Sequence, residues 1–345
     1  MRALIKRIVL FAVMIPIGAA FAEPGTAPSN YEKTTVAYRQ VGDRKILADV
    51  YRPPGTKVLP VIVYIHGGAL IVGSRDLDSA EERAHPETRF DLLRFAQREQ
   101  IAVVSIDYRL APETKLPDIV SDVETAFRWL RSRGAAQFRL DADRVVVLGC
   151  SAGGYLTLVT GYRVRPRPRA LVSLYGYGDL TGDWYSKPSA FHRHPTEQAD
   201  ATGELALVSP EQAASQSDGT VISDAHERKG NGILTYLYYR QNGLWPREVS
   251  GFPQATLAEK IAPYEPLRNV GPDFPPTLLI HGRRDRDVPY EQSELMAQQF
   301  KRRHVPYLLI PIDTADHQLI GGDARQIREA FQTLEAFIRR HLDLI

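Results

Sequence analysis

Arg144-Val145-Val146-Val147-Leu148-Gly149-Cys150-Ser151-Ala152-Gly153-Gly154 is the stretch that decides the fold. Val145 to Leu148 is an uninterrupted apolar run, as a strand buried on both faces requires. It stops at Gly149, and Gly154 to Tyr162 then follows a helical pattern. A serine on a sharp turn between strand and helix presents its hydroxyl outward, and its neighbours must be small because the backbone there packs too closely for larger side chains. Ser151 is therefore a candidate nucleophile. Cys150 beside it reads as a small buried hydrophobe.

Outward from this turn the same texture recurs. Val58 to Ile65, broken only by Pro60, Ile101 to Ile106, Ala170 to Leu174 and Thr277 to Ile280 are further short apolar runs. Helical patterns lie between them, at Phe90 to Gln100, Asp118 to Arg133 and Gln292 to Arg303. Val305 to Ile312 reads as a last strand, followed by Ile327, Phe331, Leu334, Ile338 and Leu342 at helical spacing. Upstream, Thr34 to Tyr51 suggests one or two antiparallel edge strands, closed by Pro53-Pro54-Gly55. Alternating strand and helix implies an α/β fold with a mostly parallel, doubly wound sheet.

One region breaks the alternation. Tyr175 to Pro275 is too long for a plain connection and carries scattered aromatics, so a cap or lid inserted over about 176–270 is expected. Its aromatics include Tyr177, Trp184, Tyr185, Tyr236 and Trp245; most of the set is expected to form the lid's own small core, with a few lining a cleft.

The chain of 345 residues has 43% hydrophobic and 24% charged residues, ordinary globular usage that excludes disorder throughout. Its formal charge of +2 comes from 43 Lys and Arg against 41 Asp and Glu. Arg2, Lys6 and Arg7, the apolar run Ile8 to Ala20 and the small-residue pattern Ala20-Phe21-Ala22 have the layout of a cleaved export signal over 1–22. Cleavage removes all three bases and leaves 40 basic against 41 acidic residues, a net −1 with no electrostatic argument for nucleic acid. Residues 23–33 read as a linker, and 34–345 as the folded domain. The expected mature chain is periplasmic or extracellular, without stable membrane insertion. Cys150, the lone cysteine, rules out an internal disulfide.

His66-Gly67-Gly68-Ala69 closes the strand Val61 to Ile65. Backbone N–H groups aimed at a developing oxyanion stabilise acyl transfer, and glycines let the main chain come close enough. The expected donors are the N–H groups of Gly68, Ala69 and Ala152, the last directly after the nucleophile at a helix N-terminus. His66, at a strand end, is expected to orient the loop by hydrogen bonding. No metal cluster, dinucleotide-binding glycine motif, P-loop or cofactor lysine signature occurs, so neither cofactor nor metal is expected.

With Asp107-Tyr108-Arg109-Leu110-Ala111-Pro112-Glu113 added to His66-Gly67-Gly68 and Gly149-Cys150-Ser151-Ala152-Gly153, the chain resembles the α/β-hydrolases. Within them it is similar to the esterase and lipase group that includes hormone-sensitive-lipase-like enzymes and bacterial carbohydrate and feruloyl-type esterases. The resemblance runs from about Thr34 to the C-terminus, loosely over the insertion. Ala69 stands where many of these enzymes have a third glycine. The family's order of nucleophile, acid and base implies that the acid follows a late strand, where His281-Gly282-Arg283-Arg284-Asp285-Arg286-Asp287-Val288-Pro289 supplies two carboxylates. The family pattern H-G-x-x-D-x-x-V-P fits Asp285, with Asp287 the second candidate. The one not used is expected to pair with neighbouring arginines on a solvated face. The resemblance likewise implies that the base is His317, in the loop after the last strand, rather than His281, His304 or a histidine of the lid.

The implied activity is hydrolysis of small-molecule or carbohydrate-linked carboxylic esters through an acyl-enzyme. Two alternatives stand beside it: an amidase or peptidase on the same fold, and a binding protein that has kept the fold without the chemistry. Peptidases of this fold usually carry a large gating domain, for which the chain has little room. A hydrolase-fold binding protein commonly lacks one of the three catalytic residues. Asp107-Tyr108-Arg109 is expected to anchor the loop near the oxyanion turn.

Overall fold

A computed structural model describes residues 31–78, 85–193 and 207–345. The expected export signal over 1–22 lies outside the described residues, as does the expected linker up to Asn30. The linker's last two positions are strand: β1 (Glu32–Val41) pairs Lys33 with Tyr51 of β2 (Arg44–Arg52), and the Lys33 ammonium reaches Asp49 at 3.1 Å. β1 and β2 form an antiparallel hairpin whose turn uses Gly42 at φ +56°.

β3 (Leu59–Ile65), β4 (Ala102–Ile106), β5 (Leu140–Cys150), β6 (Ala170–Leu174), β7 (Thr277–Gly282) and β8 (Tyr307–Ile312) complete an eight-stranded sheet in the order β1-β2-β4-β3-β5-β6-β7-β8. β2 meets β4 antiparallel, and the pairings from β4 to β8 are parallel. Pro60 cannot donate to a ladder, and the register of β3 against β5 shifts there, between Leu59 and Val61. β5 extends to both sides of the expected Val145–Leu148, because neighbours on both edges continue its ladder.

Alternate strand residues feed two cores. Val61, Val63 and Ile65 join Val145 and Val147 on one face, while Ile62 and Tyr64 join Val146 and Leu148 on the other. The first face is covered by α2 (Leu116–Trp129) and α3 (Ala152–Arg163), the second by α1 (Leu92–Glu99) and α7 (Ala324–His341). α1 begins later than the expected Phe90 because the Asp91 carboxylate caps it, accepting from the Arg94 N–H at 3.0 Å. α2 begins before the expected Asp118, with Pro117 in its first turn where the missing N–H is harmless. α7 buries Ile327, Ala330, Leu334 and Ile338, one stripe of an amphipathic helix.

Between β6 and β7 the described residues form short helices and loops, with α4 (Ile233–Asn242) and α5 (Trp245–Ser250) the most regular. This region does not keep a core of its own. Tyr177, Tyr185, Tyr239 and Trp245 belong to the same buried cluster as the residues of β3 and β5. The Tyr177 ring stacks on Tyr155 of α3 at 5.2 Å, and Trp245 stacks on Tyr185 at 4.1 Å. The separate core expected from the sequence is thus an extension of the main one, since large flat rings gain most by packing on a rigid neighbour. α6 (Glu291–Arg302) follows β7 and returns the chain to β8.

Candidate active site

The loops after β3, β5, β7 and β8 converge at the carboxyl ends of the parallel strands, where open α/β sheets bind ligands. Ser151 sits between β5 and α3 with φ 54° and ψ −120°, a backbone few non-glycine residues adopt. Its N–H donates to the Leu174 carbonyl at 2.9 Å, and its carbonyl accepts from the Tyr155 N–H at 3.0 Å. The glycines around it have no room for a side chain. A Cβ on Gly149 would overlap the Gly153 carbonyl, and one on Gly153 would overlap the carbonyl of Ile65 on β3.

Ser151 Oγ lies 3.1 Å from His317 Nε2, and His317 Nδ1 lies 2.7 Å from Asp285 Oδ2. A carboxylate only accepts here, so Nδ1 carries the proton and Nε2 is left to accept from the serine hydroxyl. His317 stands in a short helical turn after β8, packed edge-on against the Tyr175 ring at 5.1 Å. Burial alone would lower its pKa, but the carboxylates of Asp285, Asp287 and Asp316 outweigh that and raise it.

Asp285 is held by four donors. Oδ1 accepts from the N–H groups of Asp287 at 3.0 Å and Val288 at 2.8 Å. Oδ2 accepts from His317 and from His281 Nε2, at 3.1 Å. His281 is fully buried at the end of β7; its Nε2 is also 2.9 Å from the Val288 carbonyl, so it accepts at Nδ1 from Ser293 Oγ at 2.8 Å. Burial opposes ionisation of Asp285, but the two histidines prevail and hold its carboxyl well below the usual range.

Asp287 does not lie on a solvated face paired with its arginine neighbours. Two of those arginines pair elsewhere, Arg283 with Asp313 at 3.1 Å and Arg286 with Asp316 at 2.6 Å. Asp287 turns under the lid, its side chain 18% exposed, and its Oδ1 accepts from Tyr236 Oη at 2.5 Å. The same oxygen is 3.4 Å from His192 Nε2 and 3.5 Å from Arg240 Nη2. Arg240 also donates to the Asp287 carbonyl at 2.7 Å and lies over the Tyr185 ring at 4.8 Å. Burial holds the His192 ring down to about 4, so it is neutral and Arg240 is the compensating cation. Tyr236 is one of the insertion's aromatics expected to fill its core or line a cleft, whereas Arg240 and His192 are not singled out by the sequence as neighbours of the site. The one available signal was their clustering within the lid.

The loop after β3 carries Gly68 at φ +96° and Ala69 at φ 54°. Among the described residues neither of their N–H groups donates to a backbone or side-chain acceptor. Ala152, at the first position of α3, has one of the amides that no helix can satisfy internally. Side chains from three distant parts of the chain help to fix this loop. The indole of Trp245 donates to the Ala69 carbonyl at 2.9 Å, Arg228 donates to the Ile71 carbonyl at 2.7 Å, and Tyr108 Oη donates to the His66 carbonyl at 3.0 Å. His66 is buried and stacked on Tyr108 at 4.2 Å; burial lowers its pKa to about 4, so it is a neutral structural group. Asp107 holds the next segment through the Arg75 N–H at 2.8 Å, and Arg109 anchors on Asp122 at 2.8 Å.

These elements surround a cavity of about 540 Å³. Ser151, His317 and Asp287 open into it beside Gly68 and Ala69, and Tyr236 contributes from the lid. Cys150 also reaches its wall, 8% exposed and 3.3 Å from Tyr64 Oη. Among the described residues no His, Cys, Asp and Glu group could hold a metal ion, and no helix is long and apolar enough to cross a membrane.

Comparison with known proteins agrees with the fold. Residues 62–218 match the family model described as alpha/beta hydrolase fold, and residues 230–344 match that of the prolyl oligopeptidase family. An esterase of Pyrobaculum calidifontis is similar in structure, with a TM-score of 0.58 and 26% identity, covering 90% of this chain and 86% of that one. A carboxyl esterase of Tuber melanosporum has a TM-score of 0.60 at 16% identity, with 94% and 89% of the two chains covered, a likeness of fold. In sequence, a non-reducing polyketide synthase of Preussia isomera is 28% identical over 313 residues, 84% of this chain. The match spans only 14% of that synthase's length.

Proposed function

This chain belongs to the α/β-hydrolase superfamily, and on that premise we propose that it is a serine hydrolase of carboxylic esters, with Ser151 as nucleophile, His317 as base and Asp285 as the acid that orients it. The observation that carries the reading is the continuous hydrogen-bond chain from Ser151 Oγ through His317 to Asp285 Oδ2, opening into one cavity beside unengaged loop amides. In the proposed cycle His317 Nε2 takes the serine proton as Oγ attacks the ester carbonyl. The oxyanion is received by the N–H groups of Gly68, Ala69 and Ala152, each such donor contributing roughly 3 kcal/mol to the transition state. His317 then returns the proton to the departing alcohol. Water, activated by the same nitrogen, hydrolyses the acyl-enzyme. Asp285, saturated by four donors, keeps His317 in the required tautomer.

The test is turnover of short aryl esters by the mature protein and by Ser151→Ala. The wild type should hydrolyse them and the variant should not, with circular dichroism and melting unchanged; equal turnover would overturn the assignment. A peptidase reading is favoured by one observation, the prolyl oligopeptidase match over the segment that carries both Asp285 and His317. An aryl ester and an anilide of one acyl group separate the two, and we expect preference for the ester. The layout of residues 1–22 also supports export. N-terminal sequencing of the protein from its native host should read Glu23 first; Met1 or Arg2 would oppose this.

A further inference from the structure

Asp287 is a charged group inside the candidate site that the proposed cycle leaves unused. Its Oδ1 is committed to the lid through Tyr236, with His192 and Arg240 alongside. Asp287 lines the cavity, and its Oδ2 is 3.8 Å from His317 Nε2, beyond hydrogen-bond distance; among the described residues this oxygen accepts no hydrogen bond. An ionised carboxylate has lone pairs on both oxygens, and a partly buried one is stable only when donors meet them. Burial opposes this ionisation, but His317, Arg240 and the Tyr236 hydrogen bond hold the carboxyl below its ordinary value. One half of the group is anchored and the other is presented to whatever enters.

What enters beside it follows from the proton transfer. The departing alcohol oxygen must come within hydrogen-bond reach of His317 Nε2 to receive its proton. Ser151 Oγ and Asp287 Oδ2 flank that nitrogen at 3.1 and 3.8 Å. A group on the carbon next to the ester oxygen is therefore carried towards Asp287. We propose that Asp287 Oδ2 is the acceptor of a leaving-group subsite, which selects esters whose alcohol bears a hydrogen-bond donor, hydroxyl or ammonium, vicinal to the ester oxygen. A vicinal carboxylate meets a like charge there and is disfavoured. The inference rests on the esterase reading and adds the class of alcohol to it.

Four acetates with one acyl group test it: ethyl acetate, 2-hydroxyethyl acetate, 2-(dimethylamino)ethyl acetate in its protonated form, and acetoxyacetate. Each kcat/KM is divided by that for ethyl acetate, and the quotients are compared among wild type, Asp287→Ala and Asp287→Asn, so that intrinsic leaving-group reactivity and any loss of folded protein cancel. In Asp287→Ala both donor-bearing esters should lose about tenfold or more of their relative rate, the range of a hydrogen bond to a charged group, and acetoxyacetate should gain. Asp287→Asn keeps the shape and a neutral acceptor, so it should retain part of the hydroxyl preference and lose the ammonium preference. In Asp287→Ala a polyol site shows the larger loss with the hydroxyethyl ester, an amino-alcohol site with the ammonium ester. Quotients identical in wild type and Asp287→Ala, with turnover still dependent on Ser151, overturn the subsite and leave the esterase reading standing. No Ser151-dependent turnover of any acetate overturns both.

Discussion

The turn at Ser151 and the lid between β6 and β7 close on the same cavity, yet different physics holds each in place. The turn is built by backbone. Gly149 and Gly153 approach other main-chain carbonyls so closely that a methyl group does not fit, and the strained Ser151 dihedrals are fixed by bonds to Leu174 and Tyr155. The lid is built by side chains reaching across the chain: Trp245 to Ala69, Arg228 to Ile71, Tyr236 and Arg240 to Asp287. The turn sets where Ser151 stands, and the residues between β6 and β7 set what surrounds it. A backbone device tolerates almost no substitution, whereas a side-chain device weakens one contact at a time.

Three measurements sharpen that contrast. Gly153→Ala should be the most damaging, because its methyl overlaps the Ile65 carbonyl and the strand has nowhere to move. We expect a loss above about 4 kcal/mol, seen as insoluble protein or a collapsed melting transition. A soluble variant melting near the wild type would show that the turn is less constrained than the close approach implies. Trp245→Phe keeps an aromatic ring on Tyr185 but leaves the buried Ala69 carbonyl without its donor. It should destabilise by about 1 to 3 kcal/mol, read by chemical denaturation, and lower kcat more than it raises KM. An unchanged kcat would separate Trp245 from the loop proposed to hold the oxyanion.

The smallest effect concerns pH. A base must be unprotonated to accept, so kcat/KM should rise with pH through the pKa of His317. Because Asp285, Asp287 and Asp316 raise that pKa, the rising limb should lie above about 6.5, the ordinary histidine value. Asp287→Asn removes one of those charges and should move the limb to lower pH by about one unit or less. A limb that stays in place would mean that the lid-held carboxylate is electrically uncoupled from the base.

The same contrast explains what could be read from the sequence. Each strand–turn–helix requirement around Ser151 is local, so a short apolar run and spaced glycines reveal it, as do the motif residues after β3 and β7. His317 follows from the order of nucleophile, acid and base that the family resemblance implies, together with its place after the last strand. Asp287 could not be read that way. Its neighbours in sequence are Arg284 and Arg286, whereas its neighbours in space are Tyr236, Arg240 and His192, about fifty or more positions away. Likewise, nothing local says that Trp245 faces a carbonyl at Ala69 or that the lid's rings continue the main core. Boundaries moved for local reasons, such as the Asp91 cap that starts α1 and Pro117 in the first turn of α2.

The central claim is that Ser151 is a nucleophile activated by His317. An aryl-ester-mimicking fluorophosphonate should label the protein once, and peptide mass mapping should place the adduct on Ser151. The labelling rate should fall by at least about a thousandfold in His317→Ala, in keeping with loss of an essential base. Labelling on another residue, or at an equal rate in His317→Ala, would contradict the account.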